Sequence, residues 1–175
     1  ALMEVRDPLA RPMAVAAKRA FDIAAAGLAL ILLSPVLALI AAAIRMDGGP
    51  ALFRQTRIGR DGSAFACLKF RSMVLDAEEK LDRLLSEDRQ AAQQWRDYQK
   101  LTRDPRVTMV GRIIRKANLD ELPQLINVLR GDMSFVGPRP CLPIQSDLIA
   151  EREARGVFAA RPGITGLAQL RGIDM

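Results

Sequence analysis

Residues 21–44 read FDIAAAGLALILLSPVLALIAAAI, an apolar run whose only charge is Asp22 and whose middle carries Ser34-Pro35. This run decides which solvent that part of the chain meets, and so constrains the fold more than any other feature. By length and composition it is a membrane segment. As a straight helix it reaches about 36 Å, against a hydrocarbon core of about 30 Å. Pro35 falls where a spanning helix would be deepest. It removes a backbone donor and clashes with the preceding turn, so the sequence predicts a bend or break there, with the Ser34 hydroxyl satisfying part of the freed backbone. The run exceeds the apolar stretch of a secretory signal, and no small-residue cleavage site follows it.

Charge bears on how this segment sits. Lys18 and Arg19 precede it, and Arg45, Arg54, Arg57 and Arg60 follow. Positive residues mark the cytoplasmic flank of a membrane helix, so a single span would place one cluster on the wrong side. A helical hairpin broken at Ser34-Pro35 keeps both clusters inside. Charge alone tilts the choice toward re-entry and leaves an ordinary kinked span open. The organisation read from the chain is a lead-in over 1–17, a re-entrant membrane hairpin over 18–46 and one further domain over 47–175.

The net charge of +6 points to an anionic partner: nucleic acid, acidic lipid or a phosphorylated substrate. With six Phe, one Tyr and one Trp, the stacking platforms of single-strand nucleic-acid binders are scarce, so no nucleic-acid partner is expected. The chain has no histidine, which removes Ser-His-Asp and Cys-His catalysis and histidine metal sites. Chemistry must come from carboxylates, Lys and Arg, Tyr or a carboxylate-held metal. Cys67 and Cys141 form no C-x-x-C pair and read as buried or inert thiols rather than a disulfide framework.

The fold class expected is α+β and mainly helical, with a short β-hairpin. Asp61-Gly62 between two short segments of 51–71 predicts the hairpin. Leu81, Leu84 and Leu85 set amphipathic helical spacing within 72–101, for one helix or two. A short basic helix follows Thr102-Arg103-Asp104-Pro105-Arg106. Leu122, Leu125, Ile126 and Leu129 then recur at i, i+3, i+4 and i+7, with Gly131 as the helix stop. From Asp132 onward the chain reads as loops, with a short helix at about 144–156.

Asp120-Glu121 is the one adjacent acidic pair in strongly basic surroundings: Arg112, Arg115 and Lys116 before it, Arg130 and Arg139 after it. Nearby positive charge predicts a lowered carboxyl pKa and an ionised pair. An ionised carboxylate can attack phosphorus or hold Mg²⁺ together with substrate phosphates. Local sequence gives a competing account of equal weight, since Asn118-x-x-Glu121 matches a helix capping box. Pro138 and Pro140 stiffen the backbone around Arg139, which suits presentation of a guanidinium to phosphate or a plain surface loop. Arg161, in R-P-G-I-T-G, and Lys69, in K-F-R, are further basic candidates.

The motifs KRAFDI…SP, FRQTRIGRDG, LKFRSM, DPRVT, ANLDELPQLINVLRGDMSFVGPRP and RPGITGLAQ occur in this order. Together they closely resemble the bacterial sugar transferase family, the monotopic phosphoglycosyl transferases. The resemblance runs from about Lys18 to Gln169 and is most specific over Leu119–Pro140. It implies transfer of a sugar 1-phosphate from a UDP-sugar to polyprenyl (undecaprenyl) phosphate, with release of UMP, at the cytoplasmic face of the bacterial inner membrane. It implies Asp120 as the nucleophile that forms an aspartyl-phosphosugar and, as metal ligand, lies beside Mg²⁺; Glu121 assists. It implies phosphate contacts from Arg115 and from Pro138 and Arg139 of the G-P-R-P loop, and a membrane break at Ser34 and Pro35. Family members usually continue with more helix, so the resemblance also implies truncation at the C-terminus. Where the family often has arginine after the glycine of its Q-x-x-G segment, Gly172 is followed by Ile173, and Arg171 is the nearest substitute. A homodimer is the base-rate oligomer. Sugar identity is not encoded legibly. The alternatives from the residues are an impaired relative, or a single-span anchored protein whose basic face binds acidic lipid or nucleic acid.

Overall fold

The computed structural model describes residues 12–98 and 101–166. Most of the lead-in therefore lies outside the described residues, as do the end of the RPGITGLAQ motif and Arg171, Gly172 and Ile173.

Helix α1 runs from Pro12–Arg45, 34 residues. It starts within the stretch read as lead-in. It also continues through Pro35, so the expected interruption at Ser34-Pro35 is not a break in helical structure. The physical reason is local. Pro35 cannot donate to the Ile31 carbonyl, and the Ser34 hydroxyl does so instead at 2.8 Å. Among the described residues, α1 is long and apolar enough to cross a membrane. Phe21, Leu28, Ile31, Leu32 and Leu39 stay largely exposed on it.

Next come strands β1 (Leu52–Ile58) and β2 (Ala64–Phe70), which pair as the predicted hairpin. Asp61 and Gly62 turn it, both at positive φ. Helices α2 (Ala77–Glu87), α3 (Arg89–Tyr98), α4 (Met109–Lys116) and α5 (Gln124–Arg130) follow. The helical pattern over 72–101 is split because the Asp88 carboxylate caps a new start, accepting from the Gln90 and Ala91 amides at 2.8 and 3.1 Å. Strand β3 (Ser134–Val136), helix α6 (Ser146–Ala154) and strand β4 (Gly163–Thr165) complete the order. β3 pairs parallel with β4, Ser134 opposite Gly163 and Val136 opposite Thr165. Three-residue strands carry no readable alternation, which is why this stretch looks like loop in the sequence.

The chain forms two compact units. The first takes the described residues up to Pro35, Arg54–Leu68 and the described residues from Pro123 onward. Its core gathers Ala26, Cys67, Leu125, Val128 and Met133, with Ala29, Leu30 and Leu33 of α1 against it. Those α1 positions recur at helical spacing, so one stripe of this half of the helix is covered by protein. The polar residues ahead of the stripe are tied down as well. Lys18 Nζ donates to Asp22 at 2.6 Å and to the Ser134 hydroxyl, which itself donates to Asp22 at 2.8 Å. Arg19 donates to the Val128 and Leu129 carbonyls, satisfying free acceptors at the end of α5. Asn127, fully buried, accepts from the Leu68 amide at 2.9 Å and donates to the Ala66 carbonyl at 2.8 Å and to Asp132 at 3.0 Å.

The second unit takes Val36–Phe53 and the described residues of Lys69–Leu122. Its core is Ile44, Phe70 and Ile114, flanked by Leu37, Ile40, Ala41, Val110 and Leu119. The buried Arg71 guanidinium pairs with Asp47 and donates to the Pro50 and Ile44 carbonyls at 2.8 and 3.0 Å. It thereby ties the end of α1 to the chain beyond β2.

Asn127→Ala should leave the buried Leu68 amide and the Ala66 carbonyl of β2 unpaired and cost on the order of 3 kcal/mol. Thermal unfolding in detergent should show a clear drop in midpoint; a midpoint equal to the wild type's would mean this node is not structural.

Candidate active site

After α4 the chain turns at Asn118, held at a φ of +53°, into a single 3₁₀ turn, Leu119–Glu121. The capping box expected of Asn118 and Glu121 does not form. The Asn118 side chain makes no capping bond, and α5 begins only at Gln124, after Pro123. Glu121 instead sends its carboxylate to Lys69, near the end of β2, with Nζ to Oε1 at 2.6 Å. That ion pair is mostly shielded, its side chains 20% and 30% exposed. The two adjacent carboxylates are thus not consumed by helix capping.

Asp120 is half-buried, and its carboxyl sits above the ordinary aspartate range. Burial is the main cause, and the neighbouring Glu121 charge adds to it; Lys69 and Arg115 pull the other way and do not prevail. The expected lowering is therefore corrected. Sequence counts the nearby arginines but not the desolvation of the carboxylate they surround.

Arg115, in the last turn of α4, donates from Nε to the Ser72 hydroxyl at 2.8 Å. It also lines a cavity of about 970 Å³ within this unit, together with Met73, Trp95, Arg103, Arg106 and Arg112. In its wall Asp104 grips Arg106 with both oxygens, at 2.8 and 2.7 Å, and the guanidinium lies 5.0 Å from the Trp95 ring centre. Burial works to raise the Asp104 carboxyl, but its hydrogen bonds from Arg106 outweigh that and hold it below the usual range. Sequence reasoning treated Thr102–Arg106 as a mere break. The Asp-x-Arg spacing, with the Arg106 amide also bonded to Asp104 at 3.0 Å, was the available signal.

Pro138, Arg139 and Arg161 belong to the first unit. Three successive carbonyls of the G-P-R-P loop are held. Pro138 accepts from the Gly163 amide at 2.9 Å, Arg139 from Arg152, and Pro140 from Arg57 at 3.2 Å. The Arg139 residue is exposed on this fixed backbone. Gly137 and Gly163 permit the arrangement, since a Cβ on either would overlap the other's strand. Arg161 donates to the Gly131 carbonyl at 2.9 Å, and burial followed by the nearby charges of Arg60 and Arg19 works against its own charge. Its observed partner is thus the end of α5. Ser34 and Pro35 are exposed on α1.

Among the described residues no three acidic or cysteine side chains come together as a metal cage. Asp120 and Glu121 are two carboxylates, one already paired with Lys69. That donor set fits Mg²⁺ completed by substrate phosphates and water, the usual way this ion is held.

The family profile described as Bacterial sugar transferase matches residues 13–175. An exopolysaccharide production protein ExoY of Rhizobium meliloti is 46% identical over 165 residues, covering 93% of this chain and 72% of that protein. An undecaprenyl-phosphate galactose phosphotransferase of Salmonella typhimurium is 47% identical over 174 residues, covering 98% of this chain and 36% of that protein. A UDP-glucose:undecaprenyl-phosphate glucose-1-phosphate transferase of Caulobacter vibrioides is 46% identical over 169 residues, covering 95% and 58%. The chain thus spans only about a third of the Salmonella relative and rather more than half of the Caulobacter one.

The raised Asp120 carboxyl has a consequence for stability. Its proton is held more tightly folded than unfolded, so losing it weighs against the fold as pH rises from the unfolded value near 3.9 through the higher folded one. Asp120→Asn should therefore raise the unfolding temperature at neutral pH, and the gain should vanish in acid, where both states are protonated. A pH series of melting curves checks both signs.

Proposed function

The chain belongs to the bacterial sugar transferase family, and from that premise we propose that it moves a sugar 1-phosphate from a UDP-sugar to polyprenyl phosphate, releasing UMP. The observation that carries this reading is the turn at Leu119–Glu121. It presents Asp120 half-buried within the electrostatic reach of Lys69 and Arg115, with Glu121 fixed by Lys69 and neither carboxylate spent on capping. Phosphoryl-type transfer needs positioning and charge neutralisation rather than proton relays, which suits a chain without histidine.

Asp120 attacks the sugar-linked phosphorus of the donor. A bond forms from its carboxylate oxygen to phosphorus, the bond to the bridging oxygen breaks, and UMP leaves carrying that oxygen. The acceptor's phosphate oxygen then attacks the same phosphorus, forming the lipid diphosphate sugar and returning Asp120 as a free carboxylate. Lys69 and Arg115 offset the negative charge gathered there, and Lys69 keeps Glu121 oriented beside the nucleophile. Asp120, with Glu121 adjacent, would hold Mg²⁺, which supplies further neutralisation of phosphate charge when bound. Arg139, on its pinned loop, is a phosphate contact in this reading.

α1 serves as a re-entrant anchor with its bend at Ser34-Pro35, placing the chemistry on the cytoplasmic face. Two features support this. Residues 54–68, which follow the helix, share a core with Ala26, Ala29, Leu30 and Leu33 in its first half. The basic flanks Lys18-Arg19 and Arg45 also favour the same side for both ends.

With Mg²⁺, polyprenyl phosphate and a panel of UDP-sugars, the protein should release UMP, and mass spectrometry should find an acid-labile phosphosugar on Asp120. Asp120→Asn should lose at least about a thousandfold in rate and form no adduct. Wild-type protein that releases no UMP from any donor overturns the proposal. Because Lys69 opposes the rise in the Asp120 carboxyl, Lys69→Met should move the acid limb of the rate profile to higher pH. For the anchor, cysteines placed before residue 18 and within 47–63 should be labelled from one side of the membrane; labelling from opposite sides sinks the re-entrant arrangement.

A further inference from the structure

The cavity beside α4 is not accounted for by the carboxylate pair. It is large enough for a nucleotide-sized ligand, at about 970 Å³. Its wall holds four arginines against one aspartate. Asp104 is matched by Arg106, so Arg103, Arg112 and Arg115 carry the surplus positive charge. Arg103 and Arg112 are exposed and have no ion-pair partner among the described residues. Met73 and Trp95 add an apolar wall, and Trp95 is fixed from one side by the buried Arg106. A cavity with cations and an aromatic wall matches a ligand that has both an anionic phosphate part and a flat ring. Arg115 both lines this cavity and acts on the Asp120 carboxyl, which fixes the end at which the reacting phosphorus would lie.

We infer that this cavity is the seat of the donor's nucleoside monophosphate half, with Arg103 and Arg112 gripping its phosphate and the Trp95–Arg106 wall facing its base. The inference rests on the donor being a nucleoside diphosphate sugar, as proposed above. The acceptor phosphate is the weaker occupant. It brings no ring to an aromatic wall, and its tail belongs in lipid. As the bond from the sugar-linked phosphorus to the bridging oxygen breaks, the leaving nucleoside monophosphate gains negative charge, and Arg103, Arg112 and Arg115 line the cavity that would receive it. Arg106 and Asp104 act through Trp95 and are positioning residues.

Trp95 is the one tryptophan of the chain, so its fluorescence reports on this cavity alone. Full-length protein in nanodiscs, titrated with UDP and with UMP and excited at the red edge of indole absorption, should show saturable quenching. Arg103→Gln and Arg112→Gln, singly and together, should weaken UDP binding by about tenfold per residue. They should raise the donor KM while leaving the acceptor KM unchanged. Equilibrium dialysis with labelled UDP gives a second readout independent of Trp95, and melting curves verify that the exposed-site variants fold. UDP binding that leaves Trp95 fluorescence and both variants unaffected overturns the inference, as does a rise in acceptor KM alone. If the wild type releases UMP and forms the Asp120 adduct while the variants bind UDP normally, only this site is wrong. If the wild type neither binds UDP nor releases UMP, the transferase reading falls with it.

Discussion

An apolar helix can join a folded body only where its polar ends are tied down, and most of the architecture serves that constraint on α1. In the first unit the tie is a three-way link, in which Lys18 and the Ser134 hydroxyl share the buried carboxylate of Asp22, with Arg19 closing the end of α5. In the second it is Arg71, whose guanidinium takes the Ile44 carbonyl and the Asp47 carboxylate together. Each link buries charge, which is tolerable only because each is multiply hydrogen-bonded. Between the ties, one stripe of each half packs on protein and the opposite face remains apolar and exposed. A helix built this way belongs at the boundary of protein and lipid.

The candidate site follows a different logic. A carboxylate among many arginines is expected to be a stronger acid than usual, yet Asp120 is a weaker one. Desolvation on the short turn exceeds the pull of Lys69 and Arg115, in part because Lys69 is already bonded to Glu121. Holding the carboxylate partly out of water costs stability once it is ionised.

Parts of this were legible in the chain itself. Asp61-Gly62 announces its hairpin because two successive residues at positive φ within a short loop have few sequence solutions. Gly131 announces the end of α5 for the same kind of reason. Asn118 and Glu121 misled, since the capping-box spacing is present but Pro123 postpones the helix and the side chains go elsewhere. The pairing of β3 with β4 was invisible, because Gly137 and Gly163 lie far apart in sequence and matter only where their backbones meet.

The sequence by itself determined the length and apolar character of residues 21–44, the absence of histidine chemistry, and the motif order that places the chain in its family, because these depend on composition and on residues read in line. Only the tertiary structure decided that Lys69 meets Glu121, that burial raises the Asp120 carboxyl, and that Trp95 and four arginines line one open cavity. Each of those is a matter of distance and desolvation between segments remote along the chain, which no local pattern records.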